Sequence, residues 1–130
     1  MQSPRVPPLA GTLIGGDFNQ PAARDYPHAE WAAMAADMQG AGLPLSDGVA
    51  ELLVRSGLKH SFDEAAPHAK PPGTSAWSGG LVDFVWHLPA AAEAAAASGH
   101  LRCVGSWLAY TDASDHLPLV ADYAWHEGAG

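Results

Sequence analysis

The run Leu81-Val82-Asp83-Phe84-Val85-Trp86-His87-Leu88 constrains the fold of this chain more than any other segment. Read as a strand, it turns Leu81, Asp83, Val85 and His87 to one side and Val82, Phe84, Trp86 and Leu88 to the other. One side is wholly apolar and the other mostly so, which requires cover on both faces of the sheet. Layered architectures supply that cover. A carboxylate inside such a run is costly unless paired, so Asp83 is expected either in a buried pair or in a functional site.

The rest of the chain divides around this strand. Gly11 to Phe18 reads as a short strand, with a proline-rich lead before it and Asn19-Gln20-Pro21 breaking it. From Pro27 to Met38, Trp31, Met34 and Met38 recur at helical spacing, predicting an amphipathic helix that ends at Gly40. Ser46-Asp47-Gly48 is positioned to cap a second helix, with Glu51 as a capping partner. Its buried stripe is expected to be Val49, Leu52, Leu53 and Leu58, and its end is expected at Gly57. Phe62 to Gly73 is polar and proline-punctuated and reads as a surface loop. Thr74 to Trp77 reads as a short strand, and the alanine-rich stretch from Pro89 to Ser98 as a short helix or turn. Two strands follow, Leu101 to Tyr110 and Leu117 to Trp125. At 130 residues and 48% hydrophobic, all of this fits one domain. The expected class is α/β or α+β, a mostly antiparallel sheet with flanking helices.

Two short motifs carry the chemistry. Gly16-Asp17-Phe18-Asn19 lies at the end of the first strand, and Ser114-Asp115-His116 lies just before the last. With Asp83 they bring carboxylates, an amide and an imidazole to strand ends, the inventory of a metal-assisted phosphoester hydrolase. Hard cations such as Mg²⁺ prefer carboxylate, carbonyl and water oxygens, which Asp17, Asp83 and Asp115 can offer. Asn19 would project with Asp17 if the strand continued. Taken singly, either motif is also an ordinary capped turn. The remaining histidines show no zinc-ligand spacing, and Cys103 as the only cysteine excludes an internal disulfide and reads as a small core residue. His87 alternates onto the Asp83 face and is a candidate to line the site. Trp77, Trp86, Trp107 and Trp125 read as core, with Trp77 the best candidate for a stacking platform.

The ordered set Gly-Asp-Phe-Asn, Val-Asp-Phe-Val and Ser-Asp-His-Leu-Pro-Leu resembles the C-terminal half of the endonuclease/exonuclease/phosphatase superfamily, the metal-dependent phosphoesterases related to pancreatic deoxyribonuclease and exonuclease III. The resemblance runs from about Leu13 to Tyr123 and is specific in those three motifs. It implies a fold that is part of a four-layered α/β sandwich. It also implies roles: Asp17 activates the attacking water, Asn19 and His116 contact the scissile phosphate, Asp83 orients His116, and Asp115 with Asp17 holds Mg²⁺ or Mn²⁺. A glutamate metal ligand and further residues are implied upstream of Gly16, where this sequence has only fifteen residues. A missing N-terminal half or a partner chain is therefore expected, together with an unpartnered apolar sheet face prone to association. The alternative is a catalytically incomplete fragment or pseudoenzyme that acts as a binding or interaction module.

Charge narrows the substrate. Fourteen acidic residues against six basic ones give a formal charge of -8, and the six cations are scattered. A broad phosphate-tracking surface is not expected, which leans the phosphoester substrate toward small or partly single-stranded forms. Nucleic acid, nucleotides, inositol phosphates and phospholipid head groups all remain within the class. No run approaches the ~18 apolar residues of a membrane span, and no signal peptide is visible, so a soluble chain is expected.

Overall fold

The computed structural model describes residues 11–43, 45–76 and 78–129. The proline-rich lead and Trp77, with its stacking role, lie outside the described residues. Within them the chain is a mixed α+β domain of two antiparallel sheets and four α-helices.

The doubly apolar run forms β3 (Asp83–Pro89), the centre of a three-stranded sheet. Strand β1 (Gly11–Asp17) pairs along its full length, from Gly11 opposite Pro89 to Asp17 opposite Asp83. The two-residue β2 (Lys59–His60) pairs on the other side. A second sheet is the hairpin of β4 (His100–Leu108) and β5 (Leu119–His126), with a register shift between Cys103 and Gly105. Both faces of β3 are largely covered, as its pattern requires. Phe84, Trp86 and His87 are at most 2% exposed. Phe84 and Trp86 join Ala22, Ala50, Leu58, Phe62 and Leu81 in one cluster, and Phe18 packs edge-on against both rings.

The helices follow the glycine punctuation more closely than the expected stripes. Helix α1 (His28–Gly40) and α2 (Gly48–Arg55) end where sequence spacing places their ends. At the end of α2, Gly57 adopts φ +88° and its N–H bonds the Val54 carbonyl, while Leu58 N–H reaches back to Leu53. This double closure needs the left-handed residue that glycine tolerates best. Helix α2 nevertheless buries Ala50, not Val49 or Leu52, which are exposed. Glu51 pairs with Arg55 one turn on instead of capping. Helix α4 (Ala92–Ser98) occupies the alanine-rich stretch.

Two segments depart from the sequence reading. Phe62 to Gly73 is not wholly loop, because Ser61–Ala65 forms a short helix α3 that buries Ser61 and Phe62. His60 caps it, its Nδ1 accepting from Asp63 N–H, so the ring proton resides on Nε2 and goes to Asp25 Oδ1 at 3.0 Å. Thr74 to Trp77 is not a strand; in its described part only Ser75 makes a β-bridge, to His116. Trp107 and Trp125 are about half exposed rather than core, while Cys103 is buried as expected. Burial pushes the Cys103 thiol above its usual range, consistent with a packing role.

Candidate functional site

The site forms where β1 and β3 begin to part and the loop after β4 folds back over them. Antiparallel pairing places Asp17 directly opposite Asp83. Two carboxylates in register repel unless something positive sits between or beside them. His116 supplies that. Its Nδ1 donates to Asp83 Oδ2 at 2.8 Å, across 33 residues of sequence. Asp17, Asp83 and His116 then present ligand atoms that all lie within 4.8 Å of one another.

A small clamp makes this meeting possible. Thr74 is fully buried, and its Oγ1 accepts from both Val82 N–H and Asp83 N–H, fixing the entry to β3. Its backbone carbonyl accepts from Leu117 N–H at 2.8 Å, and Ala76 N–H donates to the Asp115 carbonyl at 2.8 Å. The segment from Thr74 to Ala76 thus ties the loop carrying Asp115 and His116 to the strand carrying Asp83. The Ser114 hydroxyl accepts from His116 N–H and tightens the turn on the other side.

Asn19 reaches the site by a different route from the one its spacing suggests. The strand stops at Asp17, whose Oδ1 accepts from Asn19 N–H at 2.7 Å, and Asn19 turns into the left-handed region at φ +52°. Asparagine tolerates that conformation better than most residues. The result places Asn19 with Asp115 and His116 on a cleft of about 640 Å³. Met34 and Met38 of α1 and Leu43 and Leu45 after it give the cleft apolar lining, with Asp37 between the two methionines. Asp115 lines this cleft but is outside the three-residue group around His116. The structure therefore brings the five candidate residues together through His116, which groups with Asp17 and Asp83 and lines the cleft with Asn19 and Asp115.

His87 does not join them. It shares the face of Asp83, but it is buried farther along β3 with Nδ1 bonded to Glu64 Oε2 at 2.9 Å. Glu64 also accepts from Cys103 N–H, so this pair fastens α3 and β4 to the central strand. The sequence reading missed Thr74, Ser75 and Ser78 as supports and cleft residues.

The electrostatics favour a cation. Hydrogen bonding to Asp83 is the first cause that raises the His116 pKa above 6.5, and the charges of Asp83, Asp17 and Asp115 add to it. Among the described residues, no Lys or Arg lines the cleft. Arg24, Arg55 and Lys70 pair with Asp63, Glu51 and Glu30 elsewhere. Among the described residues Asp17, Asp83 and His116 form the group whose atoms could hold a metal ion, and Asp115 lies outside it. Among the described residues no helix is long and apolar enough to cross a membrane. The chain matches no family model, no curated protein and no solved structure, so what the site can do rests on its own geometry.

Proposed function

We propose that this chain is a phosphoester hydrolase dependent on a divalent cation, Mg²⁺ or Mn²⁺. The observation that carries the reading is the convergence of Asp17, Asp83 and His116, from three separate segments, to ligand distances within 4.8 Å beside an open cleft. In this reading Asp17 orients an attacking water and accepts its proton. Asp83 accepts from His116 Nδ1–H and favours the imidazolium, whose Nε2–H then donates to a phosphate oxygen. The Asn19 amide donates to a second phosphate oxygen. Asp17 and Asp115 would hold the ion, which when bound neutralises charge on the phosphate. We also place the two sheets as one portion of a four-layered α/β sandwich completed by other polypeptide; the exposure of β1 on both faces supports that reading.

A second reading has its own support. The resemblance calls for a glutamate among the metal ligands, yet among the described residues no glutamate joins the group of Asp17, Asp83 and His116, and Glu30, Glu51 and Glu64 pair with Lys70, Arg55 and His87. A chain lacking that ligand would act as a binding module. Hydrolysis of bis-p-nitrophenyl phosphate in Mg²⁺ or Mn²⁺ separates the two. The hydrolase reading expects turnover that falls by about 10²-fold or more in Asp17→Ala and in His116→Ala. Equal rates in wild type and both variants would overturn the roles, and the absence of both calorimetric ion binding and turnover would favour the binding module.

A further inference from the structure

We infer that the cleft beside His116 receives the non-phosphate arm of the substrate, and that this arm is a single uncharged apolar group of about aromatic size. The inference rests on the proposal that Asn19 and His116 hold the phosphate.

Helix α1 is the first reason. A helix bearing Trp31, Met34 and Met38 at helical spacing normally buries that stripe against the core. Here α1 buries none of its residues. Met34 and Met38 instead face the cleft, where Leu43 and Leu45 extend the same wall. Methionine adapts its shape to what it meets, so this wall can close around a flat group without a large rearrangement. The volume of about 640 Å³ falls within the range of pockets that enclose small ligands, roughly 300–1,000 Å³.

The second reason is what the cleft would reject. Among the described residues its charged lining includes Asp37 and Asp115 and no Lys or Arg. A second phosphate beyond the one at His116 would enter a negative field with no Lys or Arg of the described lining to receive it. A polynucleotide or a polyphosphorylated head group therefore fits poorly, whereas a phosphoester with one apolar arm sets its anionic end at Asn19 and His116 and its apolar end against the methionines.

Non-hydrolysable phosphonates test this without relying on turnover. With the full chain in Mg²⁺, 1-naphthylmethylphosphonate is expected to bind at least about tenfold more tightly than methylphosphonate by titration calorimetry, a factor in line with burial of one ring. A short thymidine oligonucleotide is expected to bind more weakly than the aryl compound. Met34→Gln with Met38→Gln should erase the preference and leave methylphosphonate affinity unchanged; neither side chain is buried, and circular dichroism checks the fold. His116→Ala should weaken both phosphonates and preserve their ratio. Equal affinity for the two phosphonates, tighter binding of the oligonucleotide, or no measurable binding of the aryl compound would overturn the inference. If His116→Ala changes neither affinity while the aryl preference persists, the phosphate assignment fails and the apolar cleft stands.

Discussion

At the scale of single residues the site turns on one contact, the hydrogen bond from His116 Nδ1 to Asp83. An acid placed inside an apolar strand demanded a partner, and that demand was readable from the sequence. The family resemblance names His116 as that partner, whereas the strand pattern alone also offers His87. His87 lies on the same face and four residues away, yet its ring is taken by Glu64 on α3, a helix that the polar, proline-punctuated sequence hid. The pair makes a definite prediction about pH. Because Asp83 raises the His116 pKa above 6.5, the contact stabilises the fold below the ordinary histidine range and loses its effect as pH rises through the raised value. Asp83→Asn removes the charge and the anionic acceptor while keeping the side-chain shape. The His116 ring signal, identified by its loss in His116→Gln, should then titrate at lower pH by NMR, and the alkaline limb of any phosphoesterase activity should move down with it. An unchanged titration midpoint in Asp83→Asn would show that the carboxylate does not set the protonation of this ring.

Elements were legible wherever local chemistry decides them. Glycine at φ +88° closes α2, alanine fills α4, and β1, β3, β4 and β5 fall close to the apolar runs that suggested them. The exceptions are elements made by distant partners. Helix α3 exists because His60 caps it and Phe62 enters the core, and Thr74 to Ala76 is a clamp rather than a strand because its groups bond across to Leu117, Asp115 and β3. No local pattern announces either. Thr74 is the keystone of the clamp, with one hydroxyl oxygen serving two backbone donors. Thr74→Val keeps the volume and leaves those N–H groups without their acceptor. The expected loss is about 2–3 kcal/mol of stability in urea unfolding, and weaker ion or phosphonate binding should accompany it as Asp83 and the His116 loop lose their tie. Thr74→Ser retains the oxygen and should lie close to wild type. Equal destabilisation by Val and Ser would assign the role of Thr74 to its methyl group instead.

At the scale of the whole molecule the central strand satisfies its two-sided apolar pattern, but among the described residues nothing protects the outer edge of its sheet at β1. Among the described residues nine hydrophobic side chains are buried, while ten large hydrophobics are exposed. Leu13 and Ile14, on opposite faces of β1, are 45% and 42% exposed. Only one edge of β1 is paired within the described sheet. Edge strands are ordinarily guarded by lysine, proline or a bulge, and Gly11–Asp17 contains none of the three in its register with β3. A strand that is apolar on both faces and open along one edge is a template for pairing with a second copy of itself. Sedimentation velocity on the wild-type chain should therefore show mass rising with concentration across the micromolar range. Leu13→Lys adds a charge on this edge opposite His87, and Thr12→Lys adds one on the other face opposite the exposed Leu88. Each should hold the chain monomeric with its circular dichroism unchanged, because neither position is buried. A wild-type chain that stays monomeric, or association unaffected by both lysines, would show that the open edge of β1 does not drive assembly. Association abolished by Leu13→Lys alone would place the contact on the face that Leu13 shares with His87, and so on the sheet layer that also holds Asp83 and the candidate site.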